Sequence, residues 1–334
     1  MNTIQRRTLL ASLLAAPFAT RAQGAARLDR ITVAGWSKPI TEVLPLLVEE
    51  DKGFYKAHGI ELAYVPGAGS ADAIRNILSG QADVAFSDPG TFFAALDKGE
   101  KLRAIYDIYP QNVFNVVSLK NSGITRPADL KGKKIGVYSL ASGTRQALQV
   151  LLHSAGLTES DVTVVVTGVL NFAPLIQGQV DATAATDTGL FLGRRRGLPE
   201  VNVIEVGQYL PVSSDLFVVR EDVYRQKRGP LQRFLKGYAD SAAWMMARPE
   251  DAAQLATKRA IDGTDPAVNL EIIKLRNKAS VSPLTRTNGL GALDVASLQR
   301  AADTYRKLGL VQNPIDVSKV VSPDLLPGRK GEPG

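Results

Sequence analysis

Cysteine is absent from this chain of 334 residues, and histidine occurs only twice. Without cysteine there is neither a disulfide nor a lipid-modified N-terminal cysteine, so we expect a hydrophobic core to provide the stability. His58 precedes Gly59 at a predicted helix end, and His153 lies on the polar face of a predicted helix, so both are expected at the surface. Since no Gly-x-Ser-x-Gly motif follows a predicted strand, a Ser-His-Asp hydrolase is disfavoured.

After its N-terminal segment the chain also lacks an apolar run of the roughly 20 residues that a membrane-spanning helix needs. In that segment, Arg6 and Arg7 precede an apolar stretch at 9–19, and small residues follow it. This pattern predicts a cleaved signal peptide over residues 1–22 and a location in the periplasm. The paired arginines also fit a twin-arginine signal, so both export routes stay open.

A strong excess of one charge is lacking too. The formal net charge of +7 falls to +4 without the three arginines of residues 1–22. The dense basic run at 194–196 stands between glycines without interleaved aromatic residues, which is typical of a solvated helix end. Nucleic acid is therefore not expected as a partner.

Short segments rich in β-branched and aromatic residues alternate with amphipathic helical segments. Strands are predicted at 31–36, 60–65, 82–87 and 102–109, then at 114–119, 134–138, 162–166, 182–185 and 201–206, with a later strand at 216–220. Helices are predicted at 70–78, 91–96 and after Gly143, and the chain beyond 220 is mainly helical, at 231–247, 249–260, 266–277 and 293–308. Such alternation predicts an α/β fold with parallel, helix-covered sheets.

The two series of strands predict two α/β lobes. Lobe one would contain residues 28–110 and 212–322, with a helical C-terminal part, and lobe two residues 111–211. The last residues, 323–334, would form a frayed tail. Because the chain would cross between the lobes twice, the two crossings would form a hinge.

Small polar residues follow many of the predicted strands. Ligands of open parallel sheets bind at the carboxyl ends of strands, so these loops are the candidate ligand site. The candidates are Trp36, Ser37, Gly69, Ser70, Ser87, Asp88, Thr91, Ser139, Ser142, Gly143, Thr144, Asn171, Asp187 and Thr188. Each has a plain structural interpretation as a helix cap, a turn or, for Trp36, a packing residue. Their recurrence in both halves favours a cleft between the lobes.

Four segments carry a family resemblance. They are Glu-Glu-Asp-Lys-Gly-Phe-Tyr-Lys-Ala-His-Gly-Ile-Glu-Leu at 49–62, Gly-Gln-Ala-Asp-Val-Ala at 80–85, Gly-Ile at 123–124 and Asp-Leu-Lys-Gly-Lys-Lys-Ile-Gly-Val at 129–137. Over residues 30–250 the chain resembles solute-binding proteins of nitrate, sulfonate, taurine and thiamine-precursor importers. The resemblance implies a type II periplasmic-binding fold without catalysis or cofactor. It further implies a monomer that binds a small molecule and delivers it to an ABC importer permease with its cytoplasmic ATPase.

Two other classes of function compete with a solute-binding role. The same fold occurs in pyrimidine-precursor synthases and porphobilinogen deaminase, but the absence of cysteine opposes both enzymes. A receptor that presents its ligand to a separate membrane sensor stays open as an alternative.

The charge of the ligand is left open by the sequence. Helix N-termini near Ser70 and Ser142 would suit an oxyanion such as a sulfonate. Asp88 and Asp187 would repel an anion and would instead suit the N–H groups of a heteroaromatic ring, such as a thiamine-type pyrimidine. For Asp88, we expect a role as acceptor of a ligand N–H group rather than as a helix cap alone.

Overall fold

The computed structural model describes residues 27–168 and 172–326, so the predicted signal peptide lies outside the described residues. The strands are β1 (Asp29–Ala34), β2 (Ile60–Val65), β3 (Val84–Ser87), β4 (Leu102–Tyr109), β5 (Phe114–Leu119), β6 (Lys134–Val137), β7 (Thr163–Val166), β8 (Ala182–Thr186), β9 (Val201–Glu205) and β10 (Asp215–Arg220). The helices are α1 (Glu49–Lys52), α2 (Ser70–Leu78), α3 (Pro89–Asp97), α4 (Gly143–Ser154), α5 (Ala173–Ile176), α6 (Asp187–Arg195), α7 (Glu221–Gln226), α8 (Arg228–Ala247), α9 (Pro249–Arg259), α10 (Pro266–Ala279), α11 (Pro283–Asn288) and α12 (Val295–Lys307).

The strands form two five-stranded sheets with the same plan. Their orders are β2-β1-β3-β10-β4 in lobe one and β7-β6-β8-β5-β9 in lobe two. The prediction of wholly parallel sheets was wrong, because β10 runs antiparallel to β3 and β4, and β5 runs antiparallel to β8 and β9. Each antiparallel strand is the first that the chain forms after a crossing. The mixed sheets nevertheless confirm the predicted two-lobed α/β fold.

Helices cover the sheets through their apolar faces. In α2, for example, Ala73, Ile74 and Ile77 are buried at helical spacing. The helices from α8 onward extend lobe one, where Phe234 and Leu235 pack in the same core as Ile31 of β1. Among the described residues, no helix combines the length and apolarity that crossing a membrane requires.

The end of the chain is packed more closely than predicted. Residues Pro323–Leu325 form a 3-10 helix, and Leu325 is buried in the core of lobe one. The prediction of fraying from residue 323 was therefore wrong for its first residues, while 327–334 lie outside the described part of the chain.

The two crossings of the chain lie side by side. One runs from β4 to β5, and the other from the segment after β9 to β10. Ser214 joins them, since its backbone N–H donates to the carbonyl of Tyr109 at 2.8 Å and its Oγ accepts from the backbone N–H of Val113 at 2.9 Å. The Nδ2 of Asn112 also donates to the carbonyl of Leu210 at 3.0 Å. These short, bonded crossings are the hinge that the sequence predicted.

Candidate functional site

A small cavity of about 40 Å³ lies between the lobes, in the cleft where strands of both sheets end. Its wall comprises Trp36, Glu42, Gly69, Ser70, Asp215 and Arg276 from lobe one, and Val113, Phe114, Tyr138, Ser142, Gly143, Thr144 and Thr186 from lobe two. A cavity of this size has room for only a few water molecules.

Six of the sequence-predicted residues line this cavity: Trp36, Gly69, Ser70, Ser142, Gly143 and Thr144. Ser70 and Gly143 begin helices α2 and α4, so two helix N-termini face each other across the cleft. Gly69 is needed here because a side chain would overlap the carbonyl of Ala141 in the other lobe, and because its φ is +141°. Ser142 and Thr144 share a hydroxyl–hydroxyl hydrogen bond of 2.8 Å.

A second group of predicted residues does not line this cavity and forms hydrogen bonds within lobe one, although Asp88 lies next to Phe114 and Gly143 of the wall. Asp88 caps α3: its Oδ1 accepts from the backbone N–H of Thr91 at 2.8 Å, and its Oδ2 accepts from the Thr91 hydroxyl at 2.7 Å. The hydroxyls of Ser37 and Ser87 are bonded to the carbonyls of the residues that follow them. Since both oxygens of Asp88 are occupied, the structure favours its capping role over the ligand-acceptor role expected from sequence.

A third group of predicted residues joins the lobes. Ser139 donates its hydroxyl to the carbonyl of Ala68, and Asp187 and Thr188 contact Arg276 and Glu42. The remaining candidate, Asn171, lies outside the described residues.

Sequence reasoning missed three ionisable residues of the cavity wall, Glu42, Asp215 and Arg276. Asp215 begins β10, and because β10 is antiparallel, its first residue lies at the edge where β3 ends. Phe114 lies at the same kind of position at the start of β5. The sequence did contain a signal for these positions, because β5 and β10 are the strands that follow the two crossings. A strand that follows a crossing begins at the hinge and therefore at the cleft.

The carboxyl group of Asp215 lines the cavity without a hydrogen bond from any described residue. Burial, together with the smaller effect of the negative charge on Asp88, raises the pKa of Asp215 well above its ordinary value. Burial also raises the pKa of Glu42, against the opposing charge of Arg276. The cavity therefore holds a buried acceptor whose charged form is poorly stabilised by the protein.

Two buried donors of the same wall also lack partners among the described residues: Nε1 of Trp36 and Nε of Arg276. The Trp36 ring meets Tyr138 of lobe two edge-on, with centroids 6.3 Å apart, and Phe86 of lobe one in the same way at 6.4 Å. Buried donors without partners are uncommon in native structures and mark places where a ligand can complete the bonding. The residues of the cavity wall thus include two donors without hydrogen-bond partners, one carboxyl without a hydrogen bond, and aromatic rings.

Neither histidine belongs to the cavity wall. His58 bonds Asp240 at 2.6 Å on the outside of lobe one. His153 of α4 is half-buried, and burial lowers its pKa, so the prediction that it lies on the surface was only partly right. Within the described residues, no group of three His, Cys, Asp or Glu side chains is placed to hold a metal ion.

Comparison with known proteins gives both binding proteins and enzymes. The chain is similar to the riboflavin-binding protein RibY of Chloroflexus aurantiacus, with 23% identity over 319 residues that cover 94% of this chain and 91% of that protein. It is also similar to the 4-amino-5-hydroxymethyl-2-methylpyrimidine phosphate synthase of Aspergillus parasiticus, with 29% identity over 221 residues. These cover 62% of this chain and 64% of the synthase.

A solved structure confirms the fold. The alkanesulfonate-binding protein SsuA from Xanthomonas axonopodis pv. citri, bound to MOPS, superposes with a TM-score of 0.70 over 89% of this chain and 99% of that chain, at 18% identity. This likeness bears out the predicted type II periplasmic-binding fold. Residues 40–252, more than half of the chain, match the family described as NMT1/THI5 like. The resemblance found in the sequence motifs is thereby confirmed, and the chain belongs to the NMT1/THI5-like family.

Proposed function

We propose that this protein is a periplasmic solute-binding protein that captures a planar nitrogen heterocycle, neutral or cationic, and delivers it to an ABC importer. The observation that carries the proposal is the cavity wall: Trp36 Nε1 and Arg276 Nε lack hydrogen-bond partners among the described residues, and the buried carboxyl of Asp215 accepts no hydrogen bond from them, with only the charge of Arg276 to offset its burial. A ring that bears both an N–H donor and a hydrogen-bond acceptor would satisfy these groups.

The balance of charge argues against an anionic ligand. Arg276 is the single cation of the cavity wall, and it is already paired with Asp187 and Glu42. A sulfonate would have to displace these carboxylates or lie buried beside Asp215, and an unpaired buried charge is costly. The walls formed by Trp36, Phe114 and Tyr138 suit a flat aromatic ring instead.

The residues of the cavity wall favour binding over catalysis. The hydroxyls of Ser142 and Thr144 bond each other, and no histidine lies in the wall to activate them. The similarity to a phosphate synthase is therefore taken as a sign of related ligand chemistry, and we propose that this chain does not catalyse a reaction. Export to the periplasm rests on the predicted signal peptide of residues 1–22.

A ligand panel tests the proposal. The chain without residues 1–22 is titrated with 4-amino-5-hydroxymethyl-2-methylpyrimidine, riboflavin and MOPS by thermal shift and calorimetry. At a hundredfold excess over Kd, a ligand should stabilise the protein by about 2.7 kcal/mol. We expect at least one heterocycle to do so and MOPS to have no effect.

The opposite result, with MOPS binding and neither heterocycle binding, would overturn the heterocycle assignment. Turnover of a bound heterocycle into a new product would overturn the assignment of a non-catalytic role. The transport partner is tested by co-purification with a tagged version of the chain, which should recover a permease rather than a sensor kinase.

A further inference from the structure

A second, larger cavity, the hinge-side cavity, lies beside the crossings of the chain. Its volume is about 670 Å³, and its walls come from β5, α6 and β9 of lobe two and from α10 of lobe one. Val113 and Phe114 line both this cavity and the cavity in the cleft, so the two are neighbours. Ligand cavities usually measure about 300–1,000 Å³, so the hinge-side cavity has room for a small organic molecule. The side chains that matter for such a ligand are those of Asn115, Leu190, Phe191, Arg194, Leu275 and Lys278.

The base of the hinge-side cavity contains the amide of Asn115. This residue lies in the middle of the sheet, between Ala185 of β8 and Glu205 of β9. Because side chains alternate along a strand, Asn115 is on the same face as Val117, which belongs to one apolar cluster with Leu190 of α6. Asn115 is 5% exposed, and its Oδ1 is buried without a hydrogen-bond partner among the described residues. A ligand with an N–H or O–H group would supply the missing donor.

The side walls of the hinge-side cavity are largely apolar. On α6 they include Leu190 and the half-buried ring of Phe191, and on α10 they include the half-buried side chain of Leu275. Leu275 and Lys278 are three residues apart and therefore share one face of α10, whereas Arg276 is on the buried face. An aromatic or aliphatic ligand body would pack between these two helices.

The rim of the hinge-side cavity carries two positive charges without counter-ions. Arg194 of α6 and Lys278 of α10 are exposed, and their side chains have neither an ion-pair nor a hydrogen-bond partner among the described residues. The carboxylates of the same wall each have a partner: Asp187 pairs with Arg276, Glu271 with Lys274, and Glu205 accepts from Gln208. The charges left without partners are therefore positive, which favours an anionic group at the rim.

We infer that the hinge-side cavity is a second ligand site, which binds a small organic acid with an aromatic or aliphatic body and an N–H or O–H donor. The donor bonds Oδ1 of Asn115, and the body packs against Phe191 and Leu275. The carboxylate lies between Arg194 and Lys278. This ligand is an anion, in contrast to the neutral or cationic heterocycle proposed for the cleft. The inference therefore goes beyond the proposed function and does not depend on it.

Three related probes test the parts of this ligand by calorimetry on the chain without residues 1–22. Indole-3-acetate combines an N–H donor, an aromatic body and a carboxylate, and a molecule of its size should bind with a Kd of roughly 1 mM or tighter. 1-Methylindole-3-acetate lacks the donor and should bind about three- to tenfold more weakly. Tryptamine has an ammonium group in place of the carboxylate, and we expect no detectable binding.

Variants of the rim locate the bound probe. Arg194→Gln and Lys278→Gln should each weaken the binding of indole-3-acetate by about two- to fivefold, as expected for exposed charges. Both side chains are exposed, so neither change should disturb the fold. Arg196→Gln is the matched control, because it removes an exposed arginine of the same basic run that lies outside the cavity wall. Its affinity for the probe should be unchanged.

Asn115→Leu separates a ligand contact from a purely structural role. Leucine has nearly the size of asparagine but no polar atom that needs a partner. The affinity for indole-3-acetate should fall by about three- to tenfold, whereas the Tm of the ligand-free protein should rise by roughly 2–6 °C. If the amide only supported the sheet, the Tm would fall.

The position of the probe is checked with Thr144→Trp, which fills the cavity in the cleft. This variant should bind indole-3-acetate as the parent does, and loss of binding would place the probe in the cleft and overturn the inference. Absence of binding to the parent well above the expected Kd, or equal effects of Arg194→Gln and Arg196→Gln, would contradict it as well. Failure of 4-amino-5-hydroxymethyl-2-methylpyrimidine to bind concerns only the proposed function, because none of these measurements uses it.

Discussion

Replacing Asp215 by Asn should weaken ligand binding and stabilise the free protein at the same time. Asp215 is 8% exposed, lines the cavity and accepts no hydrogen bond from a described residue. Its proposed partner is an N–H group of the ligand. Losing a hydrogen bond to a charged acceptor costs about 1.5–3 kcal/mol, so affinity should fall by roughly 10- to 150-fold.

The expected gain in stability comes from the raised pKa of Asp215 in the ligand-free protein. The pKa of Asp215 is raised in the folded protein, whereas in the unfolded chain it has the ordinary value of 3.8. As pH rises above 3.8, the unfolded chain loses this proton but the folded protein keeps it. The free energy of unfolding therefore falls as pH rises above 3.8. Asparagine is neutral at every pH in both the folded and the unfolded chain, so it carries no such cost. At pH 7.5 we expect Asp215→Asn to add about 1–3 kcal/mol to the free energy of unfolding, or roughly 2–6 °C in Tm. The difference should vanish near pH 3.

Calorimetry with the heterocycle that binds the parent protein measures the first effect, and thermal unfolding without ligand measures the second. Asp88→Asn is the matched control, because Asp88 is also buried, at 3% exposed against 8% for Asp215, but caps α3. It should lose at most about 1 kcal/mol of stability and keep nearly all of its affinity. Unchanged affinity in Asp215→Asn, or a loss of stability together with affinity, would refute the reasoning.

Thr144→Trp at the start of α4 puts an indole into a cavity of about 40 Å³. Calorimetry should then detect no binding of the heterocycle, while circular dichroism shows an intact fold. Retained binding would show that the start of α4 does not belong to the ligand site. Asp107 is fully buried, accepts from the Ser213 hydroxyl at 2.6 Å, and burial raises its pKa to about 8. The stability of the parent should therefore fall as pH rises from about 4 to 8, and Asp107→Asn should flatten this fall in denaturant titrations; an unchanged slope would contradict the assignment.

The strands were predicted well because their signal is local. Runs of β-branched and aromatic residues set the limits of β2, β4 and β5, and the structure reproduces the predicted bounds of all three. The direction of β5 and β10 could not be obtained in this way, since it depends on where the chain re-enters each sheet. That direction brings Phe114 and Asp215 to the cleft.

Arg276 did leave a local signal in the sequence. In α10 the buried positions are Asn269, Ile272, Ile273, Arg276 and Ala279, which share one helix face. A charged residue on an otherwise buried face requires a partner, and in a C-terminal helix that partner must come from elsewhere in the fold. The sequence could have predicted that Arg276 is a buried charged residue, but only the structure identifies Asp187 and Glu42 as its partners.

The sequence left both an oxyanion and a heterocycle open as ligands. The heterocycle alternative rested there on Asp88 and Asp187, which the structure uses for a helix cap and for an ion pair between the lobes. The oxygens of Asp88 and Asp187 already have partners within the protein, which leaves them less able to accept from a ligand. Asp215 accepts no hydrogen bond from a described residue, and the charge of Arg276 only partly offsets the effect of its burial. Under the proposed function, a ligand that donates to Asp215 removes the cost of burying it, whereas an anion adds to that cost, so we expect Asp215 to set the preference of the cleft for a heterocycle.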